Sequence, residues 1–219
     1  MRMQGHAGDD AVFIRSMATR GHLGGLALAV PECMRLLDAL GFSVVLVETV
    51  GVGQVEVEVA EATDTTVVVV NPGWGDSVQA NKAGILEIAD VFVVNKADRP
   101  GVAETVRDLG AMLDLSKLEG WRPPIVTTVA STGEGIDELW KEIESHQRHL
   151  LLEGLLQERR EERLEKELTR IVANRLLIQG REALSSPSFQ SVLFDMHSRR
   201  VDPYEAANLL LQDLGVDES

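Results

Sequence analysis

Cysteine is almost missing from this chain: Cys33 is the only one in 219 residues. One thiol excludes an intrachain disulfide and fits a reducing compartment. Cys33 falls in an expected helix and reads as a small core residue rather than a nucleophile. Nothing approaches the roughly 18 consecutive apolar residues of a membrane span. The opening Met1-Arg2-Met3-Gln4-Gly5-His6 lacks the apolar core of a secretion signal. These absences place the chain in the cytoplasm, with no membrane partner. Basic residues are in deficit: 21 Lys and Arg against 35 Asp and Glu give a net charge of -14. A polyanion is repelled overall, so nucleic acid is not an expected partner, and only a local basic patch could offset this. The phosphate-cradling string Gly-x-x-x-x-Gly-Lys-Ser/Thr is also missing. Gly21-His22-Leu23-Gly24-Gly25 is rich in glycine but has no Lys-Ser/Thr after it.

What is present is 44% hydrophobic, enough for one core and an appendage. Over residues 1–145, strand-like runs alternate with helical patterns. The runs are Ser43–Glu48, Thr65–Val70, Ala89–Val94 and Pro124–Val129, and the helices are expected near 31–40, 77–88, 101–114 and 135–145. This alternation predicts an α/β fold with a parallel sheet covered on both faces. Functional residues then collect at the carboxyl ends of the strands. Glu48, the segment 71–76, the segment 95–98 and Ala130-Ser131 all fall there. Residues 146–219 show no strand pattern. Leucines at near-helical spacing and the mixed-charge run 157–163 predict a long amphipathic helix ending near Gly180, then helices over 188–196 and 203–213.

The most specific signal is Val94-Asn95-Lys96-Ala97-Asp98 at the end of an apolar run. Asn-Lys-x-Asp in that place resembles the guanine-reading element of GTP-binding proteins. An ionised Asp98 can accept from both N1–H and N2–H₂ of that base. Adenine offers no such donor pair and would strand the carboxylate. The Lys96 stem can lie along the base with its ammonium in water, and Asn95 can brace neighbouring loops. Alone, four letters are also compatible with a plain strand end and polar turn.

Two further segments add to it. In Glu48-Thr49-Val50-Gly51-Val52-Gly53-Gln54, an acid ends a strand and a glycine follows three residues later. Such an acid holds Mg²⁺, usually through water, and such a glycine lets its N–H approach a terminal phosphate. Gln54 is a candidate to orient an attacking water, and a polar helix cap is the blander reading. In Thr128-Val129-Ala130-Ser131-Thr132-Gly133-Glu134-Gly135, a strand runs into a Gly-rich turn and a helix. In GTP-binding proteins the matching loop donates backbone N–H to the guanine O6; Ala130 and Ser131 occupy that place here, and Val129 before them is a further nucleotide-binding candidate. The same letters alone describe an ordinary turn.

Together these residues resemble the MeaB/ArgK family of GTPases, which are P-loop proteins. The resemblance rests on residues 13–16, 21–26, 44–54, 72–76, 83–90 and 94–98, and the string Val47-Glu48-Thr49-Val50-Gly51-Val52-Gly53-Gln54 is distinctive. It implies a P-loop NTPase-type sheet without its first strand and phosphate loop, followed by an all-helical extension. It implies GTP and GDP as ligands, Mg²⁺ as cofactor, and a GTPase that escorts the adenosylcobalamin enzyme methylmalonyl-CoA mutase. It further implies a homodimer formed through the helical extension. Residues 1–145 would be the partial G domain and 146–219 the dimerising part. With the phosphate loop missing, the chain reads as the carboxyl-side part of a longer protein. The alternative is a non-enzymatic, dimerising module that only binds partners. Trp74, Asp76 and Lys82, in the loop after the second strand, are candidates to relay nucleotide state to a partner; Asp76 could equally cap a helix. His146 and His149, one helical turn apart with Glu142 a turn earlier, read as a solvent face rather than a metal site.

Overall fold

The computed structural model describes residues 3–6, 8–17, 29–49, 60–74, 82–116, 120–184 and 187–213. The chain divides into two compact units, residues 1–160 and 161–219. The first holds helix α1 (Ala29–Ala39), strand β1 (Val67–Val70), helix α2 (Lys82–Ile88), strand β2 (Val91–Asn95), helix α3 (Val102–Leu115), strand β3 (Ile125–Thr128) and helix α4 (Ile136–Leu152). Helix α5 (Leu155–Ala183) carries the chain into the second unit, which also contains α6 (Pro187–His197) and α7 (Pro203–Asp213).

The three strands form one parallel sheet in the order β1-β2-β3. Val91 to Val94 of β2 are all buried, as expected for a strand covered on both faces. On one face Val70, Phe92 and Val94 pack with Ile85 and Ala89 from the α2 region and Leu109 and Leu113 of α3. On the other, Val91, Val93 and Val126 are buried, and α4 touches β2 and β3. Each fully buried Val, Leu or Phe contributes about 1.5–3 kcal/mol, so this sheet fixes the geometry of the loops at its ends.

Three expectations change. Ser43–Glu48 forms no strand: its residues run irregularly, and Leu46 is 84% exposed. Its apolar pattern fits a strand, but a strand exists only by hydrogen bonding to a neighbour, and none of β1, β2 or β3 pairs with it. The long tail helix, whose leucine pattern begins at Leu150, starts only at Leu155, and Leu150, Leu151 and Leu152 belong instead to α4, which runs past its expected end near 145. The chain turns at Glu153-Gly154, where Gly154 takes φ 73, a left-handed angle that ends a helix at little cost. α5 then continues through Gly180 to Ala183. Finally, His146 lies in the core rather than on a solvent face.

Candidate nucleotide site

β2 ends at Asn95, opposite Thr128 of β3 in the parallel register. The Asn95 side-chain oxygen accepts from the Thr128 hydroxyl at 3.2 Å and from the Ala130 N–H at 3.1 Å. Both lone pairs of one amide oxygen are thereby used, tying the end of β2 to the loop that leaves β3. The next residue, Lys96, has φ 61, a left-handed conformation unusual for a side chain of this length. It turns the chain sharply. The turn is held by the Ala97 N–H donating to the Thr128 carbonyl at 2.9 Å and the Arg99 N–H donating to the Lys96 carbonyl at 3.0 Å. Lys96 and Asp98 are both exposed on this turn.

The loop from β3 is equally fixed. Val129 is buried, and its N–H donates to the Glu134 carbonyl at 2.9 Å. Its carbonyl accepts from the Thr132 and Gly133 N–H groups, each at 3.0 Å, and from the Thr132 hydroxyl at 3.1 Å. Ala130 and Ser131 are left exposed at the crest of this loop. Gly135 closes it with φ 79, immediately before α4. A Cβ there would fall 2.1 Å from the Thr127 carbonyl oxygen, so no other residue fits without moving β3. The result is two exposed loops from neighbouring strand ends, joined by one asparagine.

A model of the family described as methylmalonyl-CoA mutase-associated GTPase MeaB matches residues 1–185. The chain belongs to the MeaB family of GTPases. It is 46% identical over 98% of its length to a Pyrococcus horikoshii protein named "Putative GTPase PH0274". It is 37% identical over 74% of its length to GTPase ArgK of Escherichia coli. It is also 35% identical over 70% of its length to the mouse protein named methylmalonic aciduria type A homolog, mitochondrial. Among solved structures it resembles that of LAO/AO transport system kinase, with 27% identity and a TM-score of 0.60 over 84% of this chain. It spans 68% of the Pyrococcus protein, half of ArgK and 61% of that structure. The fold is thus α/β of the P-loop NTPase type, with a helical carboxyl-terminal part.

Set against this MeaB-family fold, the other candidates fall as follows. Glu48 is exposed and in irregular chain. Gly51, Gln54 and Asp76 lie outside the described residues. Lys82 is the first residue of α2. Trp74 is partly buried against the core, and its backbone N–H donates to the Asn71 carbonyl at 3.2 Å. The preceding Gly73 N–H donates to the Thr105 hydroxyl at 3.1 Å, pinning this loop to the start of α3. The structure therefore brings together residues 95–98 and 129–131. Thr128 and Gly135 take part in that junction without having been singled out in the sequence. Gly135 carried a usable signal, a glycine directly ahead of a helical pattern. The Thr128 hydroxyl carried none, because its partner is set by strand register.

Proposed function

We propose that this chain contributes the guanine-binding side of a GTP-hydrolysing chaperone that acts on adenosylcobalamin-dependent methylmalonyl-CoA mutase. The observation that carries this reading is the Asn95 bridge to Thr128 and Ala130. It holds Asp98 and the Ala130-Ser131 backbone on adjoining loops before any ligand arrives, which lowers the ordering cost of binding. Asp98 would accept from the two donors of guanine, Lys96 would cover the base, and the residues 129–131 would donate to its O6. The left-handed Lys96 stores backbone strain where that base would lie, a pattern common at ligand clamps.

Mg²⁺ fits this reading in a limited way. Among the described residues no cluster of carboxylates and histidines could cage a metal. In this reading the ion is held chiefly by phosphate oxygens and water, with Glu48 as its proposed outer-sphere acid; Gly51 and Gln54, which lie outside the described residues, are the proposed partners of the terminal phosphate. When bound, Mg²⁺ would neutralise charge on the phosphate oxygens. In this reading Trp74, Asp76 and Lys82 relay nucleotide state to the mutase. The partial burial of Trp74 favours a role through the loop's position rather than through direct contact. The proposed setting is cytoplasmic; among the described residues no helix is long and apolar enough to cross a membrane.

Dimerisation, which the second reading (a dimerising module without catalysis) shares with the first, rests on α5. Leu164, Leu168, Val172 and Leu176 recur every four residues along it and are 47–62% exposed. Such a stripe suits the same stripe of a second copy, and we propose that the helical extension, from residue 146 in the sequence division, makes the homodimer. Calorimetric titration with GDP and Mg²⁺, with ADP as control, tests the nucleotide reading. GDP binding without ADP binding is expected, and Asp98→Ala should weaken it at least tenfold, the value of a charge-assisted bond of about 1.5–3 kcal/mol. Binding of neither nucleotide would leave the dimerising module as the better reading.

A further inference from the structure

The amino-terminal edge of the sheet, away from the nucleotide loops, carries a cluster of polar groups with no assigned role. His146 of α4 is fully buried. Its Nδ1 is 2.9 Å from the Thr65 hydroxyl, and its Nε2 is 3.1 Å from Asp90 Oδ1 but out of line for a hydrogen bond. Arg159, near the start of α5, reaches the same Asp90 Oδ1 at 3.5 Å. The other oxygen of Asp90 is committed, accepting from the Thr66 N–H at 2.7 Å. Asp90 is itself held in place, because its carbonyl accepts from Trp121 Nε1 at 2.8 Å. Two groups that can both be cationic thus converge on one carboxylate oxygen.

We propose that Asp90, His146 and Arg159 form a proton-sensitive latch on the first turns of α5. With His146 neutral, Asp90 Oδ1 is available to Arg159. When His146 takes up a proton, the imidazolium competes for that oxygen from a buried position and repels the guanidinium. Proton uptake costs nothing at Thr65, because its hydroxyl can donate to a bare Nδ1 or accept from a protonated one. The arginine at the helix start is then released. The antagonism is reciprocal by linkage: Arg159 must oppose the protonation of His146 as much as that protonation opposes Arg159.

The surrounding charges leave this pair the controlling one. Asp64, beside Thr65, is engaged by Arg160 at 2.6 Å. The hydrogen bond from Arg160 to Asp64 raises the arginine pKa despite partial burial, with help from the charges of Asp64 and of Asp38 in α1. Arg122, next to Trp121, pairs with Asp114 at 2.6 Å. On α4, His149 lies against the same Trp121 indole as His146, with ring centres 5.2 Å and 5.0 Å from it respectively.

The test is a pH titration of the histidine NMR signals of the whole chain. The signal lost in His146→Gln identifies this residue among the five histidines. Arg159→Met should raise its midpoint by a few tenths of a pH unit, the reach of a partly exposed ion pair. Arg159→Lys should restore most of the original value, which loss of packing alone would not do. Backbone signals of residues 155–160 should shift toward coil values as pH falls through that midpoint, and should not do so in His146→Gln. A midpoint that is unmoved or lowered by Arg159→Met overturns the latch. So does a His146 signal that fails to titrate while the chain stays folded.

Discussion

At the residue scale, Asp98 and Gly135 do opposite things for one site. Asp98 is exposed and, in the proposed reading, is needed only by the ligand, so replacing it should leave folding intact. Asp98→Asn exchanges an acceptor pair for an amide that can also donate. It should lose guanine and gain xanthine, which presents a carbonyl where guanine has its amine. Competition between GDP and xanthosine diphosphate in a binding assay checks this, and unaltered preference for guanine would exclude Asp98 as the reader. Gly135 is needed by the fold. Gly135→Ala pays roughly 1–2 kcal/mol for the left-handed angle alone, and the overlap with the Thr127 carbonyl adds to that. A urea unfolding midpoint lowered accordingly is the expected result.

At the element scale, the strongest single dependence is on β2. Phe92 is fully buried within the cluster that joins α2, α3 and the sheet. Phe92→Ala should cost about 3–5 kcal/mol by urea unfolding, the usual range for emptying an aromatic core site. Most elements were legible in the sequence because apolar period and turn chemistry agree: β1, β2, β3 and the helices between them lie within a few residues of their expected places. The exceptions share one cause. Ser43–Glu48 has the composition of a strand but lacks a pairing neighbour, and composition does not supply one. His146 and His149 have the spacing of an exposed helix face, yet Trp121 and Asp90 arrive from distant sequence to cover the first of them. The letters of residues 95–98 and 129–135 marked the two loops. The bond between them could not be read there, since it depends on Asn95 lying opposite Thr128.

At the scale of the whole molecule, two unpartnered features predict association by separable routes. One is the Leu164–Leu168–Val172–Leu176 stripe. The other is β1, an edge strand among the described residues, where Val69 is 60% exposed. Light scattering should find species larger than a dimer. Leu168→Glu with Val172→Glu should remove the dimer while circular dichroism keeps its helical signal. Val69→Lys should remove the larger species and leave the dimer. A monodisperse dimer in the unaltered chain, with no binding of a dye for apolar surface, would contradict the edge-strand route.

The order β1-β2-β3 also has a consequence in time. Each strand pairs with the one made just before it, so the sheet can be assembled in the direction of synthesis. At about 5–20 residues per second, roughly two to seven seconds separate the emergence of β2 from that of β3. During that pause, Asn95 waits for Thr128 and Ala130, and β2 shows a bare apolar edge to whatever else is near the ribosome. The loop junction that Asn95 makes is therefore the last part of this sheet to be completed in the order of synthesis.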